Sequence, residues 1–449
     1  MSKSLKIILI FLLLSLGFLL RAYISALVNR GDVLVIAEWS KSLYEQGTKG
    51  SYFREGWIYS FPTQPPLAML TYWTSRWLYV HGYFLVILHN LIRVPPAAVL
   101  VWLEKNQLFF IKFWGILADC LSALVIYLVL SKLKKETLAL IAMICLLFNP
   151  IPFFVSSIWG QIDILGALLA FLAFLLLVFD LSLFLFLSPV LLCLGVMIKP
   201  TILVLTPLYF FWIMKKIFSP KKRKNFFTQF LFGILFSILI AYISFLPFLD
   251  QQESFLKGIS SIISQRILPS AKGISKAATS AFTFFTIFYQ IDKTPGTRKL
   301  AFLTLDQIGN LFFLIIVCFT AIAIIGWRKE KNFFQNLTNL CFWAYFLSEG
   351  AFLFKTNMAE RYFLPGFLFL YLLYFLIDSK KMKVAIVIQF SVWLVNLVSS
   401  FYMRDVHFFQ ALFRGNNYFG TRFFSLLNVV VYFYLFFIST RRKPSSILF

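Results

Sequence analysis

Charge is scarce in this chain: only 13% of its 449 residues are Asp, Glu, Lys or Arg. A soluble domain carries about 25%, so a water-facing globule is excluded. Acidic residues are scarcer still, 18 against 42 basic ones, and there are three histidines. Cysteine is sparse as well. Cys120, Cys145, Cys193, Cys318 and Cys341 all lie inside apolar runs without paired spacing, which excludes a disulfide framework and a structural zinc site. Short alternating segments are also missing, which argues against an outer-membrane barrel, whose strands are about ten residues long.

What is present is apolar length. Hydrophobic residues make up 60% of the chain and aromatics 19%. Many runs approach or exceed the ~18–20 residues that span a bilayer. The chain therefore reads as an all-α polytopic membrane protein in one domain, 1–449, without separable parts or internal repeats. The net charge of +24 would suggest nucleic acid in a soluble protein. Here Lys and Arg cluster in short loops between apolar runs, where they act as orientation signals, so the partner is the lipid bilayer and no nucleic acid.

The run 7–27 is longer than a signal-peptide core and lacks a small-residue cleavage site, so it reads as a retained helix. Lys3 and Lys6 place the N-terminus in the cytoplasm. Residues 32–46 have the apolar spacing of an amphipathic helix lying on the membrane surface. Pro62, Pro65 and Pro66 break the chain and restart it. The next apolar run, 67–92, holds Arg76, His81 and His89 among Tyr72, Trp73, Trp77, Tyr79 and Tyr83. It reads as interfacial, because an extra crossing would put Lys132, Lys134 and Lys135 outside. Counting on from there, with a break at Asn149-Pro150, gives about twelve crossings with both termini inside. The segments 28–105 and 250–300 then form an external face. Arg404, Arg414 and Arg422 are the blemish on this count.

Polar groups are costly inside membranes and mark function. On this topology Asp32, Glu38, Gln64, the stretch Ser156–Asp163, Lys199, Arg266, Lys272 and the stretch Asn357–Tyr362 collect on the outer side. Asp119 falls near mid-bilayer and is expected to pair internally, with Lys112 as the nearest candidate. His81 and His89 read as interfacial, and no His/Asp/Glu set has metal-ligand spacing.

Several of these motifs resemble a family. Gly31-Asp32, Trp39 and Pro65-Pro66-Leu67 resemble the first external loop of the GT-C glycosyltransferases that use polyprenyl-phosphate sugars, in particular the ER glucosyltransferases of N-glycan assembly. Lys112 with Ala118-Asp119 resembles that branch's second helix. Asn149-Pro150, Ser157, Trp159-Gly160-Gln161-Ile162-Asp163 and Lys199-Pro200 look like the bacterial and archaeal relatives of the GPI-anchor mannosyltransferases. Met358-Ala359-Glu360-Arg361-Tyr362 resembles their Met-His-Glu-Arg-Tyr motif. Gln265–Gly273 resembles an Arg-Leu-Phe-Pro-Phe-Ala-Arg-Gly stretch of the ER enzymes. The likeness runs in order from about residue 30 to 365, and the ordered set is more specific than any single motif. Two departures stand out: Ala359 replaces the family's His, and a sugar-binding Asn is missing near Ala281-Phe282. The resemblance therefore does not carry the donor sugar.

The resemblance implies transfer of a hexose, with mannose expected, to an acceptor hydroxyl on a lipid-linked sugar, glycan or protein. Asp32 would take the hydroxyl's proton, although from position alone it reads as a cap of the following helix. Arg361, Arg266, Lys272 and Lys199 would hold the departing phosphate, arginine best because its planar fork meets two oxygens. The bland alternatives are a Glu360–Arg361 ion pair and solvated loop cations. Glu38, Trp39, Gln64, Trp159, Gln161, Asp163 and Glu360 would line the sugar or acceptor site, and Asp163 equally suits a helix start. No cofactor is firmly implied, but a divalent cation, Mg2+ or Mn2+, bridging Asp32 and the phosphate suits the chemistry. The competing reading is a lipid-linked sugar flippase or other polytopic transporter, which should carry polar sites near mid-membrane on broken helices.

Overall fold

A computed structural model describes residues 2–29, 31–82, 93, 95–133, 135–179, 185–217, 223–250, 254–268, 275–326, 333–403, 405–415 and 418–441. It is almost wholly helical. In chain order the main helices are α1 (Lys3–Leu27), α2 (Asp32–Glu45), α3 (Pro66–Val80), α4 (Pro96–Lys105), α5 (Gln107–Lys132), α6 (Glu136–Leu147) and α7 (Asp163–Phe179). They continue as α8 (Leu187–Ile198), α9 (Thr206–Ile217), α10 (Arg223–Phe245), α11 (Phe255–Ile262), α12 (Leu305–Gly326), α13 (Phe333–Phe354) and α14 (Leu364–Leu376). The last three are α15 (Lys380–Tyr402), α16 (His407–Arg414) and α17 (Phe419–Arg441). A two-residue hairpin, Lys299–Leu300 with Leu303–Thr304, is the one sheet among the described residues.

Among the described residues eight helical segments are long and apolar enough to cross a membrane, and α7, α8 and α14 are shorter apolar helices. The protein is thus a polytopic helical membrane protein. Where α1 turns Phe11 and Leu19 outward at 68% and 63% exposure, the facing medium is lipid, since nothing in the sequence of this helix offers water a polar face.

Local chemistry sets the helix ends. The Ser2 side chain accepts from the Leu5 N–H and starts α1. Pro66 and Pro96 sit in the first turns of α3 and α4, where a missing N–H costs nothing. Asn149-Pro150 was expected to end a crossing, and the helical path instead continues. The Asn149 carboxamide accepts from the Ile151 N–H at 2.9 Å, a short helix Pro150–Phe153 follows, and a π turn runs over Phe154–Ile158. The candidate span is accordingly Glu136–Ile158. The proline restarts the helix because its fixed φ suits a first turn. The run after Pro66 is helical to Val80, while residues 83–92, with Tyr83 and His89, lie outside the described residues.

The chain divides into two compact units. The first comprises Met1–Leu168, Met197–Pro200 and Ile238–Ala271. In it α2 buries Val33, Ile36, Trp39 and Leu43, as its apolar spacing requires. Its ring contacts with α3 include Trp39 on Tyr72 and Tyr44 on Trp73, both at 6.3 Å. Glu45 accepts from Arg76 at 2.8 Å across the same pair. Leu103, Phe109, Phe110 and Ile116 form an aromatic core against Phe18 of α1. The second unit comprises Leu169–Val196, Thr201–Ser237 and Lys272–Phe449. Its core includes Phe282, Val392, Met403 and Phe413, and Phe363 stacks on Trp393 at 4.3 Å.

Candidate functional site

The first unit holds two polar clusters. The deeper joins α1, α5 and the π turn. Arg21, fully buried on α1, donates from Nε to Asp119 Oδ2 at 2.9 Å. Ser156 Oγ donates to the same oxygen at 2.6 Å. Arg21 Nη1 reaches the Gly17 carbonyl at 3.2 Å, and the guanidinium lies over the Phe153 ring at 4.9 Å. Asp119 therefore pairs with Arg21, and the expected Lys112 partnership is corrected. Sequence distance favoured Lys112, seven positions away on the same helix. Arg21 lies inside the run 7–27, which reads in the sequence as one apolar helix.

Lys112 is spent elsewhere. Its ammonium donates to the carbonyls of Ser25, Val28 and Ser157, each at 2.9 Å, and lies 3.3 Å from that of Ile158. One lysine thus ties the end of α1 to the end of the π turn, satisfying carbonyls that a regular helix would have bonded. Two glycines let the next residues approach. Gly160 has φ +77, and a Cβ there would stand 2.6 Å from Val33 Cγ2 and 3.1 Å from Lys112 Cγ. At Gly115 of α5 a Cβ would meet the Gln161 carbonyl oxygen at 2.8 Å.

The stretch so held delivers Gln161 to the start of α2. Gln161 is 4% exposed, and its Nε2 donates to Asp32 Oδ2 at 2.7 Å. Gly31, with φ +68, caps α2, which leaves Asp32 in the first helical turn and half-buried. Asp32 is thus the first residue of α2 rather than its cap. A carboxylate there is favoured by the helix dipole, and the amide fixes its orientation. Trp159, buried to 7% exposure, packs edge-on against Phe154. Asp163 opens α7, as its sequence position suggested, and meets Lys199 Nζ at 3.1 Å with both side chains nearly buried. Lys199 therefore neutralises Asp163 in this structure.

The second cluster is the loop after α2. Glu38 accepts from the backbone N–H groups of Ile58 and Tyr59, the latter at 3.0 Å. Trp39 Nε1 donates to the Ser60 carbonyl at 2.7 Å. Tyr52 donates its hydroxyl to the Gln64 carbonyl at 2.6 Å, and burial pushes its phenol well above the ordinary tyrosine range. Glu38, Trp39 and the Gln64 backbone shape the loop. Arg266, on a second π turn at Ile263–Ile267, lies over Phe61 at 4.2 Å and Phe53 at 4.9 Å of this loop. Its Nε is buried without a hydrogen-bond partner. Cation–π contact of this kind orients a guanidinium without consuming its hydrogen bonds.

Glu360 and Arg361 belong to the second unit. They form an ion pair at 2.6 Å, the bland alternative for Arg361. The segment before them is pinned by Thr279 N–H, which donates to the Met358 carbonyl at 2.9 Å, and Ala359 bridges Thr279. Near the expected sugar-binding asparagine, Ser280 donates its backbone N–H to Asp292 at 2.8 Å. Lys272 lies outside the described residues. No three His, Cys, Asp or Glu side chains gather as metal ligands among the described residues. A divalent ion bridging Asp32 and a phosphate would have that carboxylate as its protein ligand.

Arg21 is the functional-site residue that sequence reasoning missed, and its signal was available: an arginine inside an apolar span is expensive unless paired. Comparison with known proteins adds no identity. No protein-family model matches the chain, and no curated protein matches it.

Proposed function

We propose that this chain is an integral-membrane glycosyltransferase of GT-C type, moving a hexose, with mannose expected, from a polyprenyl-phosphate carrier to an acceptor hydroxyl. The acceptor is a lipid-linked sugar, a glycan or a protein. Asp32 accepts the hydroxyl proton, the acceptor oxygen bonds to the anomeric carbon with inversion, and the carbon–phosphate oxygen bond breaks. The polyprenyl phosphate leaves with the electron pair, so a second, acid carboxyl as in glycosidases is not needed. The observation that carries this reading is the buried Gln161 amide aimed at Asp32, 2.7 Å away, at the first turn of the helix that follows the first span. A carboxylate fixed in this way is oriented to take a proton.

Arg266, in the same unit as Asp32 and held over Phe61 and Phe53, is the proposed phosphate contact. Lys199 acts through Asp163, and Trp159 with Gln161 offers a flat ring and an amide to a sugar. In this reading α7, α8 and α14, together with α13, cross beside the eight long spans, which makes twelve passes. Both termini then lie in the cytoplasm and Asp32 on the external face of the cell membrane.

A second reading is a lipid-linked sugar transporter. It is favoured by the broken span Glu136–Ile158 and by Arg21, Lys112 and Asp119 buried within spans. The engagement of Arg21 with Asp119 and of Lys112 with backbone carbonyls counts against it, since a translocation site must release its contacts in turn. The deciding experiment is reconstituted transfer from a panel of polyprenyl-phosphate sugars, comparing wild type with Asp32→Asn. Loss of about 10²–10⁴-fold in the variant is expected. A near wild-type rate would remove Asp32 as the base. Absence of transfer from every donor, with lipid-linked sugar moving between leaflets, would favour transport.

A further inference from the structure

Helices α15 and α17 of the second unit leave a cavity of about 440 Å³ along one side. Its walls include Val384 and Ile388 on α15 and Val430 and Tyr434 on α17. Lys380 and Lys381, in the first turn of α15, line the same cavity at one end. The turn is fixed by Ser379, whose hydroxyl accepts from the Met382 N–H. Val384 is 59% exposed and Val430 54%, and both lysines are exposed. Both helices are long and apolar enough to span, so the apolar wall of the groove lies along membrane-spanning segments.

We propose that the groove is a binding site for an anionic phospholipid, one acyl chain lying between α15 and α17 and the headgroup phosphate on Lys380 and Lys381. The volume suits a drug-sized apolar body, for which ~300–1,000 Å³ is usual. The charge selects the headgroup. Basic pockets between membrane helices hold anionic lipids because two cations meet one phosphate at the edge of the hydrocarbon, where water screens them less. The two lysines also stand at the positive end of the α15 dipole, and an anion beside them relieves that repulsion. A zwitterionic lipid gains less, because its own ammonium offsets the phosphate charge, and a bare hydrocarbon gains nothing from the lysines.

The test is native mass spectrometry of the purified full chain exchanged into phosphatidylglycerol or phosphatidylcholine. Wild type is compared with the double substitution Lys380→Gln/Lys381→Gln, and a third variant, Val384→Trp, fills the groove. Wild type should retain phosphatidylglycerol about tenfold or more over phosphatidylcholine, with the preference weakening as salt rises. The double variant should bind both lipids alike, and Val384→Trp should lose bound lipid altogether. Equal retention of both lipids by wild type, or an unchanged preference in the double variant, would overturn the proposal. So would displacement of phosphatidylglycerol by equimolar polyprenyl phosphate, which would assign the groove to a carrier lipid. Thermal melting of each variant confirms that the fold survives, since all three positions are exposed.

Discussion

Removing either Arg21 or Asp119 strands the other's charge among buried side chains. Arg21 is fully buried and Asp119 nearly so, and a lone buried charge costs about 3–5 kcal/mol. Arg21→Leu and Asp119→Leu should each lower thermal stability by that order. The double substitution should be milder than the sum of the two, because the pair leaves together. Melting in detergent reads this cycle, and strict additivity would mean that the 2.9 Å contact carries no coupling. A second buried carboxyl, Glu349 of α13, makes the same argument from the other side. Its Oε1 accepts from Gln389 Nε2 at 3.1 Å and Trp393 Nε1 at 3.3 Å, while Oε2 is buried without a hydrogen-bond partner. Gln389 also donates to Asn428, and Asn428 donates to the Phe282 carbonyl, so four elements meet there. Glu349→Gln keeps the accepting oxygen and removes the charge, and should melt at or above the wild-type temperature. Glu349→Ala leaves both donors unpaired beside a cavity and should cost about 2–4 kcal/mol. If the two variants behave alike, the network is not structural.

At the scale of elements, the π turn Phe154–Ile158 is what turns a broken helix into a site. It shifts the backbone by one residue relative to an α-helix, so Trp159 N–H bonds to the Phe154 carbonyl and Gln161 N–H to that of Val155. Gln161 is thereby carried to Asp32. Carbonyls left over by the shift are taken by Lys112, and Gly160 gives the turn its left-handed φ. Gly160→Ala combines a strained φ with a Cβ 2.6 Å from Val33. It should cost about 1–3 kcal/mol and reduce transfer more than it reduces stability. Activity and melting measured on the same preparation check this, and unchanged activity would detach the turn from function. Helix existence here was legible in the sequence: α2 and α7 begin at the expected positions, Asp32 and Asp163. The π turn was not, because nothing in Phe154-Val155-Ser156-Ser157-Ile158 is special in composition. Its register depends on an amine supplied from another helix.

For the whole molecule, orientation decides which side of the membrane Asp32 faces, and with it the proposed external site. Lys49 is exposed in the loop after α2, and Lys380 is exposed at the start of α15. Single cysteines placed there, in a background without the native five, should differ in intact cells. Lys49→Cys should react with a membrane-impermeant maleimide, and Lys380→Cys only after permeabilisation. The reverse pattern would put Asp32 in the cytosol and end the external-face reading.

The sequence by itself determined the class of this protein. Apolar run length, prolines at helix starts and the clustering of basic residues act locally, so a reader of the chain recovers the membrane class, the amphipathic helix α2 and the acidic starts of α2 and α7. Only the tertiary structure decided which polar group meets which. Arg21 and Asp119 are 98 positions apart, and Gln161 and Asp32 are 129 apart. Lys112 lay nearer to Asp119 in sequence yet faces four carbonyls instead. A charge buried in apolar surroundings takes the partner that packing brings within hydrogen-bond reach, and sequence separation does not measure that distance.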